Sequence, residues 1–184
     1  MTKQADLRNL SILVVGGKAA AAQVLRTAFG LIGITRITVI AESARAIEQL
    51  RTQSFSAIFC DASAEPYHGM PFSLAARRTD GIVNPMTPLF MITHSARQRL
   101  VEQARDTGVT DVLTQPVSAA TISRKLAVAM AAPRPFIAAS TFFGPDRRTR
   151  RQNTWKGDDR RTRVAKKTKV ALPEPGGPGD MSFV

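Results

Sequence analysis

The chain has 184 residues, is 43% hydrophobic and carries a formal net charge of +12, which is enough apolar content to bury one core of ordinary domain size and leave a tail over. Its single cysteine, Cys60, excludes an internal disulfide and a cysteine-based zinc site. Residues 1–10 lack the apolar stretch of a secretion signal and no window approaches the length of a membrane span, so a soluble cytoplasmic protein is expected.

Short apolar runs at residues 11–15, 37–41, 57–60, 89–92 and 111–113 alternate with helical patterns at 18–31, 44–52, 72–78, 96–107 and 118–130. That alternation is the signature of βαβ units, and it predicts an α/β domain built on a doubly wound, five-stranded parallel sheet across residues 11–132. In the last helical stretch Ile122, Leu126 and Met130 recur every fourth residue, and Ser118 stands where an N-cap belongs. Ligands of open parallel sheets sit outside the carboxyl ends of the strands. Gly16, Gly17, Asp61, Thr93 and Gln115 all close apolar runs, so they are predicted to converge on one pocket.

Pro133-Arg134-Pro135 stops the last helix, because proline lacks a backbone donor and restricts the residue before it. Beyond it no helical or strand period is evident, and the charge concentrates: residues 1–133 carry +5, residues 134–170 carry +9 and the remainder −2. The stretch Phe143-Gly144-Pro145-Asp146-Arg147-Arg148-Thr149-Arg150 is echoed thirteen residues later by Lys156-Gly157-Asp158-Asp159-Arg160-Arg161-Thr162-Arg163. Gly-Pro-Asp and Gly-Asp-Asp are turn formers, so each copy would present clustered arginines. Guanidinium groups bind phosphate bidentately and stack on flat rings. With Phe142, Phe143 and Trp155 nearby, Arg147, Arg148, Arg150, Arg151, Arg160, Arg161 and Arg163 form a candidate site for RNA or a cyclic dinucleotide. The competing reading is a solvated basic tail whose aromatics fold back onto the domain. Residues 133–170 are therefore a basic, largely irregular extension, and 171–184, rich in proline and glycine, read as a disordered tail.

The four-point order over about residues 9–132 resembles the response-regulator receiver (CheY-like) domain. Asp61, ending Ser56-Ala57-Ile58-Phe59-Cys60-Asp61, matches the phospho-accepting aspartate. Gly69 matches the glycine of the following loop, Thr93 the hydroxyl residue after strand four, and Thr107-Gly108 the small pair before strand five. The extension in turn is similar to those of some alphaproteobacterial receiver-like proteins, certain of which bind cyclic di-GMP through arginine-rich segments. The Arg147-to-Arg151 spacing also resembles an element of PilZ domains, whose companion motif is absent downstream.

Two chemical corners of the receiver pattern are replaced. Gly16 and Gly17 stand at the acidic pair, so the oxygen ligands that Mg²⁺ requires are missing, and weak or absent magnesium binding is expected. Gln115 stands at the lysine, which removes the fixed cation that pairs with a phosphoryl group. Val112 stands at the aromatic switch position. Lys18, at the start of the first helix, and His94, after Thr93, are the two side chains that would supply replacement charge. Gly16-Gly17-Lys18-Ala19 lacks the spacing and the hydroxyl residue of a phosphate loop, and His68 and His94 alone support no catalytic triad or zinc motif. The expectation is a degenerate receiver rather than an enzyme, a binding module of a bacterial two-component phosphorelay that docks a histidine kinase or another protein of such a pathway. Phosphorylation at Asp61 would require restored charge, and the sequence suggests that Asp at 16 and 17 with Lys at 115 would rebuild it. The alternative is a nucleic-acid or cyclic-dinucleotide effector working through the extension.

Overall fold

The computed structural model of the chain describes residues 7–64, 68–95, 97–139, 141–147 and 166–168. Five βα units come first: β1 (Ser11–Val15), α1 (Ala19–Leu31), β2 (Arg36–Ile40), α2 (Ser43–Thr52), β3 (Ala57–Asp61), α3 (Gly69–Arg78), β4 (Leu89–Thr93), α4 (Gln98–Asp106), β5 (Asp111–Thr114) and α5 (Ala119–Ala131). All strand pairs of this sheet are parallel, in the order β2-β1-β3-β4-β5. This is the doubly wound fold expected from the sequence.

Side chains alternate across a strand, and here both faces are covered. Leu13, Val15, Ile58, Cys60, Leu89 and Met91 pack toward Leu50 and Phe72 on one side. Ile12, Val14, Phe59, Phe90 and Ile92 pack toward Phe29, Ile122 and Leu126 on the other. Phe59 lies at the centre of that second layer, edge-on to Phe29 at 5.0 Å and stacked on Phe90 at 4.8 Å. The Ser118 hydroxyl accepts from the Thr121 amide, as its N-cap position predicts.

Element ends shift by a few residues. Helix α3 begins at Gly69 rather than residue 72, because Pro71 falls in the first turn, where its missing N–H costs no helical bond. Helix α4 starts at Gln98 rather than 96.

The unanticipated element lies beyond Pro133. Strands β6 (Phe136–Ala139), β7 (Phe142–Pro145) and β8 (Lys166–Thr168) form a small antiparallel sheet in the order β7-β6-β8. Its sequence signal was the pair of short apolar runs Phe136-Ile137 and Phe142-Phe143 flanking a brief connection, with Ala139 opposite Phe142 in register. Trp155 and Arg148, Arg150, Arg151, Arg160, Arg161 and Arg163 lie outside the described residues, as does the whole of 171–184.

The β6–β7 hairpin docks at the amino-terminal ends of β4 and β5. Gly108 has φ +87, and a Cβ there would meet the Phe143 carbonyl oxygen at 2.8 Å, while a Cβ on Gly144 would reach the Gly108 Cα at 2.7 Å. Two glycines thus allow backbone to lie on backbone. Beneath the hairpin, Arg77 is 4% exposed. Its Nε donates to the Gly108 carbonyl at 3.0 Å, and Nη1 donates to the carbonyls of Pro85 at 2.6 Å and Thr87 at 2.8 Å. Its guanidinium carbon lies 5.1 Å from the centre of the Phe136 ring. Burial pushes its pKa down to about 9. Facing carbonyl oxygens favour the charged form, so the group remains cationic at neutral pH. Arg78 donates to the Thr141 carbonyl, and Arg147 pairs with Asp106, adding surface ties.

Arg77→Met should lower unfolding stability by about 2–4 kcal/mol, since it strands three loop carbonyls beside a buried thioether. Urea denaturation of the full chain checks this, together with an increase in amide exchange across residues 136–145.

Candidate functional site

The carboxyl ends of β1, β3 and the β5–α5 connection surround a cleft of about 240 Å³. Gly16, Gly17, Asp61 and Gln115 line it, so the predicted convergence holds for these four. Its remaining wall is apolar, supplied by Leu25, Ile92, Val117 and neighbours, with Val24 at 60% exposure on the outer turn of α1. The Gln115 amide donates to the Thr93 carbonyl at 2.8 Å, which seats the connection above β4, and the Gln115–Pro116 bond is cis.

The other three candidates do not line this cleft. Thr93 is buried, and its Oγ1 sits 3.2 Å from both the amide and the carbonyl of Ser95, so the hydroxyl is spent on the turn that follows its own strand. Lys18 is exposed at the N-cap of α1. His94 is exposed beyond β4. Among the described residues, no cation lines the cleft.

Asp61 ends β3 half-buried. Its Oδ1 accepts from the Ser63 amide at 2.8 Å and from the Ser63 hydroxyl at 2.5 Å, an Asx-type turn that uses the carboxylate to hold the next loop. The spacing Asp61-x-Ser63 is the local sequence signal for that turn. The Oδ2 atom faces Gly17, where an added Cβ would lie 3.5 Å away. Next to it in the chain, the Cys60 thiol is buried and donates to the Gly69 carbonyl at 3.8 Å. Burial, with the Asp61 charge adding to it, raises this thiol well above its ordinary range and keeps it protonated.

The two glycines differ from acidic residues in backbone as well as side chain. Gly16 has φ +75 and Gly17 φ +83. A Cβ on Gly16 would fall 2.2 Å from the Ala64 Cβ and 2.7 Å from its Cα, so Ala64 occupies the volume a side chain would need. Asp61 is the one carboxylate lining the cleft among the described residues, and no group of three metal-ligating side chains occurs among them. Mg²⁺ requires several oxygen ligands in octahedral geometry. The donor set described here does not fit it. The same geometry corrects the repair suggested by the sequence: Asp at 16 and 17 would be strained at both positions and would collide with Ala64 at the first.

Arg147, placed by sequence among ligand-binding arginines, is engaged within the chain. It pairs with Asp106 and lies 4.0 Å over the Phe142 ring. Phe142 and Phe143 belong to β7, and Phe143 packs 5.5 Å from Phe136. These two aromatics fold back onto the domain.

A sequence profile of the response regulator receiver domain matches residues 12–127. Among solved structures, the chain is similar to the Vibrio cholerae chemotaxis protein CheY4, at 20% identity and a TM-score of 0.57, over 64% of this chain and 95% of that one. It is similar to the receiver domain of a sensor histidine kinase of Pseudomonas aeruginosa, a structure with magnesium coordinated in its active-site cleft, at 24% identity and a TM-score of 0.56, over 64% and 93%. A two-component response regulator of Clostridium difficile matches at 20% identity and a TM-score of 0.56, over 68% and 97%. No helix among the described residues is long and apolar enough to cross a membrane.

Gly16→Asp should lower thermal stability by about 1–3 kcal/mol equivalent, from the positive φ and the contact with Ala64. Calorimetric titration of that variant and of the parent should show no saturable magnesium site at micromolar concentration.

Proposed function

The chain belongs to the response-regulator receiver family over residues 12–127, and from that premise we propose that it is a degenerate receiver, a protein-docking module of a two-component pathway whose output does not depend on phosphorylation of Asp61. The observation that carries this reading is the state of the Asp61 carboxylate. Its Oδ1 is committed to Ser63, and among the described residues no cation lines the cleft in which it sits. For a carboxylate to attack a phosphoryl group, positive charge must offset the repulsion between two anions and stabilise the transferring group. Gln115 supplies an amide where that charge would stand. Asp61 then acts as a loop-holding group, and the apolar rim at Val24 remains as contact surface. A histidine kinase or another two-component protein is the partner class, and a cytoplasmic location accords with it. The module acts by binding and not by catalysis.

The full chain incubated with acetyl phosphate and Mg²⁺ should show no added phosphoryl mass at Asp61. Partner capture should be unchanged by Asp61→Asn. Stoichiometric labelling of Asp61 would overturn the reading.

A second reading is favoured by one observation. Strand β8 pairs with β6 at Phe136↔Thr168, Ile137↔Lys167 and Ala138↔Lys166, so the chain that leaves β7 after Pro145 returns to the same small sheet. The arginine-rich segment is thereby tethered at both ends to a folded platform, which lowers the entropy cost of presenting it to RNA or a cyclic dinucleotide. Replacing Arg148, Arg150, Arg160 and Arg161 with Ala should weaken binding of RNA or cyclic di-GMP by orders of magnitude at low salt, at about 1.5–3 kcal/mol per charged hydrogen bond. The parent's affinity should fall steeply with ionic strength in a filter-binding or calorimetric series.

A further inference from the structure

We propose that a second cleft, between the carboxyl half of α5 and the β6–β7 hairpin, binds a small amphiphilic anion: an aromatic or aliphatic body with a phosphate or carboxylate head. It lies by the amino ends of β4 and β5, at the opposite end of the sheet from Asp61, and does not depend on receiver chemistry. Its volume of about 410 Å³ falls within the range of small-molecule sites.

The walls divide by chemistry. Phe90, Val128, Ala129, Phe136 and Pro145 form an apolar surface, and Val128 is left 63% exposed there. Arg124, Lys125 and Arg134 bring three cations against one carboxylate, Asp111. Lys125 already pairs with Asp111. Arg124 and Arg134 are exposed and make no hydrogen bond or ion pair among the described residues. Behind the Phe136 ring sits the Arg77 guanidinium, buried and, among the described residues, without a carboxylate partner and with one nitrogen, Nη2, lacking a hydrogen-bond acceptor. An uncompensated buried cation projects its field farther than an exposed one, since less water screens it. Apolar walls with two free guanidiniums and a buried third define a site for an organic anion.

The chain's own neighbouring segment is a poor occupant. Residues 147–163 carry seven arginines and one lysine against two aspartates, so like charges oppose its entry. Ligand and hairpin share Phe136 and Pro145, so the site exists only while the extension is docked.

The test uses the full-length protein and two probes of similar body, anionic 8-anilinonaphthalene-1-sulfonate and neutral N-phenyl-1-naphthylamine, followed by fluorescence. The parent should bind the sulfonate saturably at one equivalent. In the double variant Arg124→Ala, Arg134→Ala, affinity for the sulfonate should fall about tenfold, as loss of charge-assisted hydrogen bonds requires, while the neutral probe is unchanged. Ala132→Trp, at an exposed cap residue lining the cleft, should abolish binding of both. Displacement of the sulfonate by guanosine monophosphate assigns a phosphate head, and displacement by octanoate a carboxylate head. Non-saturable binding, equal sulfonate affinity in the arginine variant, or displacement by neither competitor would overturn the proposal, and the arginine variant decides it even if Ala132→Trp does not fold.

Discussion

Burial of the central sheet on both faces is the constraint from which the rest follows. In β1, β3 and β4 nearly every side chain is enclosed, with Phe59 held between Phe29 and Phe90 and Leu13, Ile58 and Met91 enclosed behind. A strand in that position has no room for charge, because an ion moved out of water there is far costlier than any contact it gains. Polar chemistry is therefore expelled to the strand ends. Asp61 appears at the last residue of β3, Asp111 at the first of β5, and Arg77 under the loop that leads into β4.

The two ends use this differently. At the carboxyl ends, positive-φ glycines let the β1–α1 turn lie against Ala64, which takes the volume a side chain at residue 16 would need. One oxygen of the carboxylate left there is satisfied within its own loop. At the amino ends, glycines 108 and 144 let a hairpin lie on the domain, and its Phe136 covers a guanidinium that has carbonyl acceptors but, among the described residues, no anion. Among the described residues the cleft at the carboxyl ends is lined by one charged side chain, Asp61, whereas the cleft at the amino ends is lined by three cations and one carboxylate.

This arrangement gives the extension a structural role beside any ligand it meets. Arg147, Phe142 and Phe143 bind it to α4 and β6, so the arginine cluster divides into a member that fastens the hairpin and members carried on the connection between β7 and β8. Charge count treats them alike.

The sequence by itself determined the parallel sheet, its five helices, the Ser118 cap and the gathering of Gly16, Gly17, Asp61 and Gln115, because periodicity and strand-end position are local properties written in residue order. It also held the signal for the Asp61–Ser63 turn and for the Phe136–Phe143 hairpin in short stretches. Other features were decided only by tertiary structure. Thr93 turns to Ser95 instead of the cleft, Ala64 fills the space over Gly16, Arg77 is buried under Phe136, and Arg147 reaches Asp106 across the gap between the extension and α4. Each joins a side chain to an atom whose position depends on how separate elements pack, and close packing permits one solution that residue order alone does not specify.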